Sequence, residues 1–283
     1  MISQKDCYTL PGGVKIPCLG FGTWQTPDGE TAVRAVRCAI DEGYTHIDTA
    51  QAYGNEESVG RAIRLSGVPR RDLFITTKLW NSNHSYELTL RSFEESMDKL
   101  GLDYLDLFLI HWPNPAAFRG RWQQANAESW KAMEELADAG RIRAIGVSNF
   151  LPHHLEELAK TARIAPQVNQ IRLCPGDTQD ETVRYCRERG MVIEAYSPLG
   201  TGRIFDIPEM RELAKKYGRG VAQICIRWSL QRGYLPLPKS VTPSRIRENL
   251  DVFDFSLTED DVRLIASLKG CVGTHSDPDS RPF

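Results

Sequence analysis

Short apolar segments alternate with longer amphipathic ones along most of the chain. Val, Ile, Leu and Phe dominate the apolar segments, which is typical of parallel strands buried on both faces. They predict strands at 45–49, 73–78, 104–110, 144–147, 167–171, 192–196, 235–237 and, most weakly, 252–255. About eight strands alternating with helices favour the α/β class, and within it a closed (β/α)8 TIM barrel over an open sheet.

Helices are predicted wherever apolar residues recur at helical spacing between these strands. The pattern places them at 31–42, 56–65, 87–100, 128–139, 152–161, 180–189, 221–231 and 258–268. Thr258 is the expected N-cap of the last helix. Several helices are followed by a glycine, as a left-handed C-cap favours: Gly43, Gly101, Gly140 and Gly190.

The two ends of the chain fall outside this alternation. Residues 8–16 predict a β-hairpin that turns at Gly12-Gly13 and caps the bottom of the barrel. No linker-like stretch interrupts the chain, so we expect one domain over 1–283 with its core at about 7–268. The tail at 270–283 either folds over the functional rim or extends freely.

Composition and charge exclude several classes of function. A net charge of −2 on 283 residues gives no basic footprint for nucleic acid. No stretch reaches the roughly 20 apolar residues that cross a bilayer, and residues 1–6 lack the apolar run of a signal peptide. The seven cysteines show no metal-binding spacing. We expect a cytoplasmic protein with reduced thiols and no metal site.

Polar side chains end the predicted strands, where barrel enzymes place their functional rim. Asp48, Lys78 and His111 end the first three, and Tyr53 lies five residues beyond Asp48. A buried ammonium needs an acidic partner, and Asp48 on the adjacent strand is the natural one. Taken singly, Asp48 could be a capping carboxylate and His111 a core histidine.

Together these four residues suggest a proton relay. An ammonium beside Tyr53 lowers the pKa of the phenol, so Tyr53 can protonate an oxyanion while His111 orients the carbonyl oxygen. No side chain of the set is an obvious nucleophile, which favours hydride from a cofactor. A lyase or aldolase that uses Lys78 as a Schiff base stays open as an alternative.

A second group of residues, 238–249, follows the seventh predicted strand. Thr242 fits an N-cap and Pro243 the first helical position. A helix N-terminus there is a favoured anion site, and Lys239 and Arg245 add positive charge, so the segment suits a phosphomonoester. The alternative is a solvated basic turn.

Tryptophans near the predicted rim indicate a substrate pocket. Trp24, Trp80 and Trp112 lie before the first strand or just after later ones, and with His111 they are the candidate substrate residues. A mostly apolar pocket for a small molecule uses such side chains, although core filling would also explain them.

Four segments resemble signatures of the aldo-keto reductases, in the same order and spacing: 43–56, 102–113, 145–150 and 238–249. The resemblance runs from Gly20 to about Leu268 and is greatest to bacterial members that reduce diketo-gluconate, glyoxals and small aldehydes. It implies NADPH-dependent reduction of aldehydes or ketones, reversible in principle, by a monomer that needs no metal. A regulatory subunit that binds NADPH is the remaining alternative.

The resemblance also assigns roles to residues of this chain. Tyr53 becomes the general acid, with Asp48 and Lys78 tuning it and His111 orienting the substrate. Ser148, Asn149 and Gln170 would bind the carboxamide of the NADP(H) nicotinamide, and Tyr196 would stack on its ring. The loop that contains Ser197, Leu199 and Gly200 would lie along the pyrophosphate. The residues that would bind the 2′-phosphate and the adenine are Lys239, Ser240, Val241, Thr242, Arg245, Glu248 and Asn249.

One segment departs from the family pattern. After Asn169-Gln170 many members continue with an acidic residue, an aromatic residue and His-Pro, whereas this chain has Ile-Arg-Leu-Cys-Pro at 171–175. Because Asn169 and Gln170 are kept, we expect the change to affect local packing or substrate choice rather than cofactor binding.

Overall fold

The computed structural model describes residues 3–282, which form ten strands and ten α-helices. The strands are β1 (Cys7–Thr9), β2 (Lys15–Pro17), β3 (Phe21–Gly22), β4 (His46–Asp48), β5 (Phe74–Leu79), β6 (Leu105–Ile110), β7 (Ile142–Ser148), β8 (Val168–Arg172), β9 (Val192–Tyr196) and β10 (Leu235–Leu237). The helices are α1 (Glu30–Glu42), α2 (Glu56–Ser66), α3 (Tyr86–Leu100), α4 (Trp122–Asp138), α5 (Pro152–Ala159), α6 (Asp180–Glu188), α7 (Pro208–Tyr217), α8 (Val221–Gln231), α9 (Pro243–Leu250) and α10 (Glu259–Ser267).

Strands β3 to β10 form a parallel barrel in which each strand pairs with the next along the chain. Two backbone hydrogen bonds bring its ends together: the amides of Gly20 and Gly22 donate to the carbonyls of Pro236 and Pro238 at 3.1 and 3.0 Å. The predicted (β/α)8 barrel is thereby confirmed. Helices α7 and α10 are additional to one helix per strand.

The strand predicted at 252–255 is wrong, and β3 takes its place in the barrel. The carbonyl of Val252 accepts a hydrogen bond from Arg227 of α8 at 3.1 Å, and Asp254 pairs with Arg219. The segment is rich in apolar residues because it packs near α8, not because it pairs with another strand. Strand β3 has two residues, which is too short to produce a pattern.

The predicted N-terminal hairpin is present, with β1 antiparallel to β2 and both turn glycines at positive φ. Leu10 and Ile16 are buried and belong to the apolar cluster inside the barrel. That cluster fills the lower interior with Leu10, Ile16, Phe74, Leu107, Leu109, Ala144, Val168, Leu235 and Leu237. The hairpin therefore plugs the bottom of the barrel.

The barrel interior changes from apolar to polar along β5. Because alternate residues face the same side, β5 directs Phe74, Thr76 and Lys78 inward in turn. Thr76 contacts His46 of β4, and Lys78 contacts Asp48 one layer higher. The buried polar groups thus collect toward the carboxyl ends of the strands.

The predicted helices are all present, with ends that differ by up to six residues. The largest difference is in α4, which begins at Trp122 and not at 128. Thr258 caps α10 by accepting a hydrogen bond from the amide of Asp261 at 3.3 Å, and the four glycines that follow helices have positive φ. Helix α7 was not predicted.

Within residues 3–282, no helix is both long and apolar enough to cross a membrane.

Candidate active site

A buried ammonium lies at the centre of the polar end of the barrel. Lys78 Nζ donates to both carboxylate oxygens of Asp48, at 2.7 and 2.9 Å, and to the carbonyl of Thr49 at 2.9 Å. It also lies 3.1 Å from the hydroxyl oxygen of Tyr53. The Lys78 side chain is 0% exposed, so its charge acts in a medium that screens it little. The contact that a proton relay requires is therefore present.

The pKa of Tyr53 differs from the sequence expectation in its net direction. Burial raises the pKa of the phenol, and the lowering by Lys78 only partly offsets this. For Lys78, burial lowers the pKa, but Asp48 and Tyr53 outweigh it and raise the pKa overall. At neutral pH Tyr53 is thus protonated beside a charged Lys78, which is the state a proton donor needs.

His111 lies beside Tyr53 without touching the ion pair. Its ring meets the rings of Tyr53 and Trp80 edge to face, with centroids 5.8 and 5.3 Å away. Burial holds the pKa of His111 well below its usual range, and the charge of Lys78 acts in the same direction. His111 is therefore neutral at neutral pH and suited to hydrogen bonding rather than to carrying charge.

A cavity of about 1000 Å³ opens above these groups at the carboxyl ends of the strands. Most of the residues singled out from the sequence line it: Trp24, Asp48, Tyr53, Trp80, His111, Trp112, Ser148, Asn149, Gln170, Tyr196, Ser197, Leu199, Lys239, Ser240, Arg245, Glu248 and Asn249. Lys78 lies beneath its floor. Gly200, Val241 and Thr242 do not line it, so their predicted contacts with a cofactor are not supported by this cavity.

Side chains at the ends of β7 to β9 hydrogen-bond to one another at the floor of the cavity. Tyr196 donates to Asn149 Oδ1 at 2.8 Å, and Asn149 Nδ2 donates to the carbonyl of His111 at 3.0 Å. Ser148 donates to the carbonyl of Gln170 at 2.8 Å. Both hydrogens of Asn149 Nδ2 are used, the second by Ser148 Oγ at 3.1 Å, so a carboxamide would bind there by donating to the second lone pair of Oδ1.

Backbone strain is concentrated around this cavity. Among the described residues, five that are not glycine have positive φ, and four of them line the cavity: Gln25 (56°), Asn149 (62°), Ser197 (49°) and Thr201 (56°). Left-handed backbone is costly for residues with a Cβ and clusters at functional sites. The strain therefore marks the same region as the polar groups.

The segment that follows β10 has the character of an anion site. Helix α9 begins at Pro243, and the Thr242 side chain does not cap it; Ser240 Oγ instead accepts from the amide of Thr242 at 3.1 Å. Neither Lys239 nor Arg245 pairs with a carboxylate among residues 3–282. Two unpaired cations beside an uncapped helix N-terminus fit a phosphate group.

The C-terminal tail folds over the cavity, which answers the question that the sequence left open. Thr274, Ser276 and Arg281 line the cavity. Asp279 anchors the tail by accepting from Asn114 Nδ2 at 2.8 Å and by contacting His154 Nε2 at 2.9 Å.

The tautomer of His154 explains why this anchor is a hydrogen-bonded cluster. His154 Nδ1 accepts from the amide of Leu151 at 3.1 Å, so in the neutral ring Nε2 carries the proton and donates to Asp279. Burial lowers the pKa of His154 to about 4, which keeps the ring neutral. His153 also belongs to this cluster, with its Nε2 3.0 Å from the other carboxylate oxygen of Asp279.

The departure from the family pattern at Arg172 also holds the tail. Arg172 forms an ion pair with Asp177 and donates to the carbonyls of Val272 and Gly273 at 3.2 and 3.1 Å. His275 contacts the other oxygen of Asp177 at 2.9 Å. The change at Arg172 therefore alters local packing by joining the end of β8 to the tail.

Replacing Arg172 by methionine is expected to loosen the tail without unfolding the barrel. Charged hydrogen bonds contribute about 1.5–3 kcal/mol each, so amide hydrogen exchange over 271–276 should become roughly tenfold faster or more. Mass spectrometry of deuterated peptides measures this, with Arg189→Met on the surface as control. Unchanged protection of 271–276 would contradict the proposed link.

Sequence reasoning missed several residues of the cavity. Gln25, Phe205, Val221, Thr274, Ser276 and Arg281 line it without belonging to a motif. It also missed Glu194, which is fully buried on β9 below the cavity. A glutamate within an apolar strand was the one available signal, because such a side chain needs a buried partner.

Fold and site together define a barrel enzyme whose working groups lie at the carboxyl ends of its strands. The aldo/keto reductase family model matches residues 18–269. Glyoxal reductase of Bacillus subtilis (strain 168) is 45% identical over 281 residues, which are 99% of each chain. Methylglyoxal reductase DkgA of Escherichia coli (strain K12) is 44% identical over 280 residues, 98% of each chain.

A solved structure adds the cofactor to this comparison. The Bombyx mori aldo-keto reductase in complex with NADP is similar at a TM-score of 0.86 and 36% identity, over 100% of this chain and 96% of that one. The chain belongs to the aldo/keto reductase family. It is an NADP-dependent oxidoreductase that acts on carbonyl and alcohol groups.

Proposed function

We propose that this protein reduces small aldehydes and ketones with NADPH, and that Tyr53 is the general acid. The observation that carries the proposal is the 3.1 Å contact between the buried ammonium of Lys78 and the hydroxyl of Tyr53. This contact lies at the floor of the cavity, next to His111 and below the tryptophans.

Each member of the relay has one task in this proposal. The bound cofactor supplies hydride to the carbonyl carbon. Tyr53 donates its proton to the carbonyl oxygen as negative charge develops there, and Lys78 stabilises the phenolate that remains. Asp48 keeps Lys78 charged and in place. Neutral His111 offers a hydrogen bond that orients the substrate oxygen.

The cofactor is held by groups along the length of the cavity. Tyr196 and Gln170 lie at the end nearest Tyr53, and Ser197 and Leu199 lie on the loop that follows β9. Lys239 and Arg245 at the opposite end fit the 2′-phosphate, because neither cation pairs with a carboxylate in the part of the chain that the structure describes.

Small dicarbonyl compounds are the substrate class we propose. Two of the relatives are named for reducing glyoxal and methylglyoxal. Trp80 and Trp112 provide apolar walls beside His111, which narrow the pocket to a small molecule and leave His111 to hydrogen-bond a carbonyl oxygen. We also propose that the protein acts as a monomer, because one chain supplies every group used above. Its proposed location is the cytoplasm.

The direct test is consumption of NADPH with a panel of glyoxals, aldehydes and keto-sugars, using NADH as control. Turnover that is fastest with dicarbonyls and depends on NADPH is expected. Tight NADPH binding without turnover of any carbonyl would contradict the proposal and favour a regulatory subunit.

The lyase alternative has less support in the structure. A Schiff base requires a neutral amine, whereas Lys78 is held as an ammonium by Asp48. Treatment with borohydride and substrate in the absence of NADPH is expected to leave Lys78 unmodified. A covalent adduct on Lys78 would favour the lyase.

Replacing Arg245 by alanine tests the phosphate site. Loss of a charged hydrogen bond costs about 1.5–3 kcal/mol, so KM for NADPH should rise roughly 10- to 100-fold while KM for NADH changes little. Arg247→Ala on the same helix is the matched control, because Arg247 pairs with Glu42 instead. Equal changes in both cofactors would exclude the 2′-phosphate role.

A further inference from the structure

Glu194 is a buried carboxyl group that the proposed relay does not use. It lies in the middle of β9, in register with Gln170 of β8 and Leu235 of β10. Its side chain is 0% exposed. Because an isolated carboxylate is costly to bury, the groups around Glu194 decide its charge and its effect.

The amide of Gln170 connects Glu194 to the relay. Gln170 Nε2 donates to Glu194 Oε2 at 2.7 Å and to Asp48 Oδ2 at 2.9 Å. An amide nitrogen carries two hydrogens, so both are used and Oε1 is the group that Gln170 can offer to the cavity. Because Glu194 Oε2 and Asp48 Oδ2 both accept from this amide, a proton on Glu194 belongs on Oε1, and flipping the amide would set its oxygen against two acceptor oxygens.

Few other charged or titratable groups face Glu194. Strand β4 contributes His46, whose Nε2 is 3.7 Å from Glu194 Oε1, and Asp48, while β5 contributes Lys78. Burial lowers the pKa of His46 to about 3, with a smaller contribution from Lys78, so His46 is neutral. Strand β10 presents only apolar side chains to the interior.

These surroundings favour the protonated form of Glu194. Burial raises its pKa to about 8, and the nearby carboxylate of Asp48 acts in the same direction. Below pH 8 the group formed by Asp48, Lys78 and Glu194 therefore contains one carboxylate, that of Asp48, and one ammonium, that of Lys78. Above it, a second negative charge shares Lys78, and that charge raises the pKa of Tyr53 further.

We propose that Glu194 is a positioning residue for carbonyl reduction, which fixes the Gln170 amide with its oxygen toward the cofactor and couples it to Asp48. The inference rests on the proposed function. An amide oxygen accepts a hydrogen bond only from the NH2 end of a carboxamide, so this contact selects one orientation of the nicotinamide carboxamide. The charge of Glu194 also reaches Tyr53 across Asp48 and Lys78.

Two variants of Glu194 separate its hydrogen bond from its charge. Glu194→Gln keeps an acceptor for Gln170 but cannot ionise, whereas Glu194→Leu loses both. The matched control is Glu134→Gln, a change at another buried glutamate whose carboxylate accepts from the amides of Arg163 and Ile164, on the outer side of the barrel.

Cofactor affinity is the first measurement, made as the Kd for NADPH from quenching of protein fluorescence. Glu194→Leu is expected to weaken binding roughly tenfold, the effect of one lost hydrogen bond in a buried site. Glu194→Gln should restore affinity to within about twofold of the unmodified protein. Equal affinity in the leucine variant, the unmodified protein and the Glu134→Gln control would overturn the positioning role.

The pH dependence is the second measurement. The unmodified protein should lose kcat in a step near pH 8, and Glu194→Gln should lack that step. A carboxyl group whose pKa is raised from 4.5 to about 8 destabilises the folded protein progressively as the pH rises from 4.5 to 8. Because Glu194→Gln lacks this group, the melting temperature of the variant minus that of the unmodified protein should increase over this pH range. A constant difference in melting temperature and an unchanged pH profile would overturn the coupling.

The outcomes separate this inference from the proposed function. If the unmodified protein turns over no carbonyl compound, the proposed function fails, while NADPH affinity and melting still test Glu194. If it turns over carbonyls and the Glu194 variants behave as Glu134→Gln does, the inference alone fails. Should Glu194→Leu not fold, the pH profile and melting of Glu194→Gln decide.

Discussion

Replacing Tyr53 by phenylalanine is expected to lower kcat for carbonyl reduction by roughly 10²–10⁴-fold, the usual contribution of a general acid. The variant loses only the hydroxyl oxygen that lies 3.1 Å from Lys78 Nζ. Its aromatic ring and the edge-to-face contact with His111 can remain. The Kd for NADPH should therefore change little, and fluorescence quenching measures it alongside steady-state kinetics.

A control distinguishes loss of the proton donor from a general disturbance of the site. Tyr8→Phe removes the hydroxyl of another tyrosine, one that donates to the carbonyl of Tyr234 at 3.3 Å, at the bottom of the barrel. It should keep full activity. Near-normal turnover in Tyr53→Phe would exclude Tyr53 as the acid, whatever the control does.

Replacing Lys78 by methionine is expected to affect both stability and activity. It leaves the Asp48 carboxylate buried without its counter-charge, and breaking a buried ion pair from one side costs about 3–5 kcal/mol. The free energy of unfolding, measured in urea, should fall by that amount. Activity should be lost even where the protein is folded, because the phenolate of Tyr53 has no stabilising cation.

The double variant Lys78→Met, Asp48→Asn separates these two effects. Neutralising Asp48 removes the unpaired charge, so much of the lost stability should return. Activity should not return, because no ammonium faces Tyr53. Recovery of turnover in the double variant would show that the ion pair serves the fold and not the reaction.

The barrel was predictable because strands buried on both faces leave continuous apolar segments. The segment predicted at 104–110 became β6 almost unchanged, and Lys78 was recognisable as a charge at the end of such a segment. Strand β3 gives no comparable signal because it has only two residues. It closes the barrel through the hydrogen bonds that the amides of Gly20 and Gly22 donate to Pro236 and Pro238, at and just beyond β10.

The misplaced and missing elements have local causes. Residues 252–255 are mostly apolar, as a strand would be, but their hydrogen-bond and ion-pair partners are arginines of the preceding helical region. Helix α7 buries only Met210 and Leu213, so its apolar face is too narrow for a clear helical pattern.

Within the site, the sequence identified side chains but not the balance of forces on them. It placed an ammonium near Tyr53, yet the net pKa shift depends on how deeply the phenol is buried, which no spacing reveals. It also could not join Asp279 to Asn114, 165 residues away, or Glu194 to Asp48 through Gln170. Such contacts exist only after the barrel has closed.

The hairpin that plugs the barrel has a consequence for how Tyr53 regains its proton between turnovers. Leu10 and Ile16 close the barrel behind the relay, and the lower interior is lined by hydrocarbon. If Tyr53 gives up its proton in each cycle, the replacement must arrive from bulk water through the same mouth that admits the substrate. Proton uptake and product departure then share one entrance.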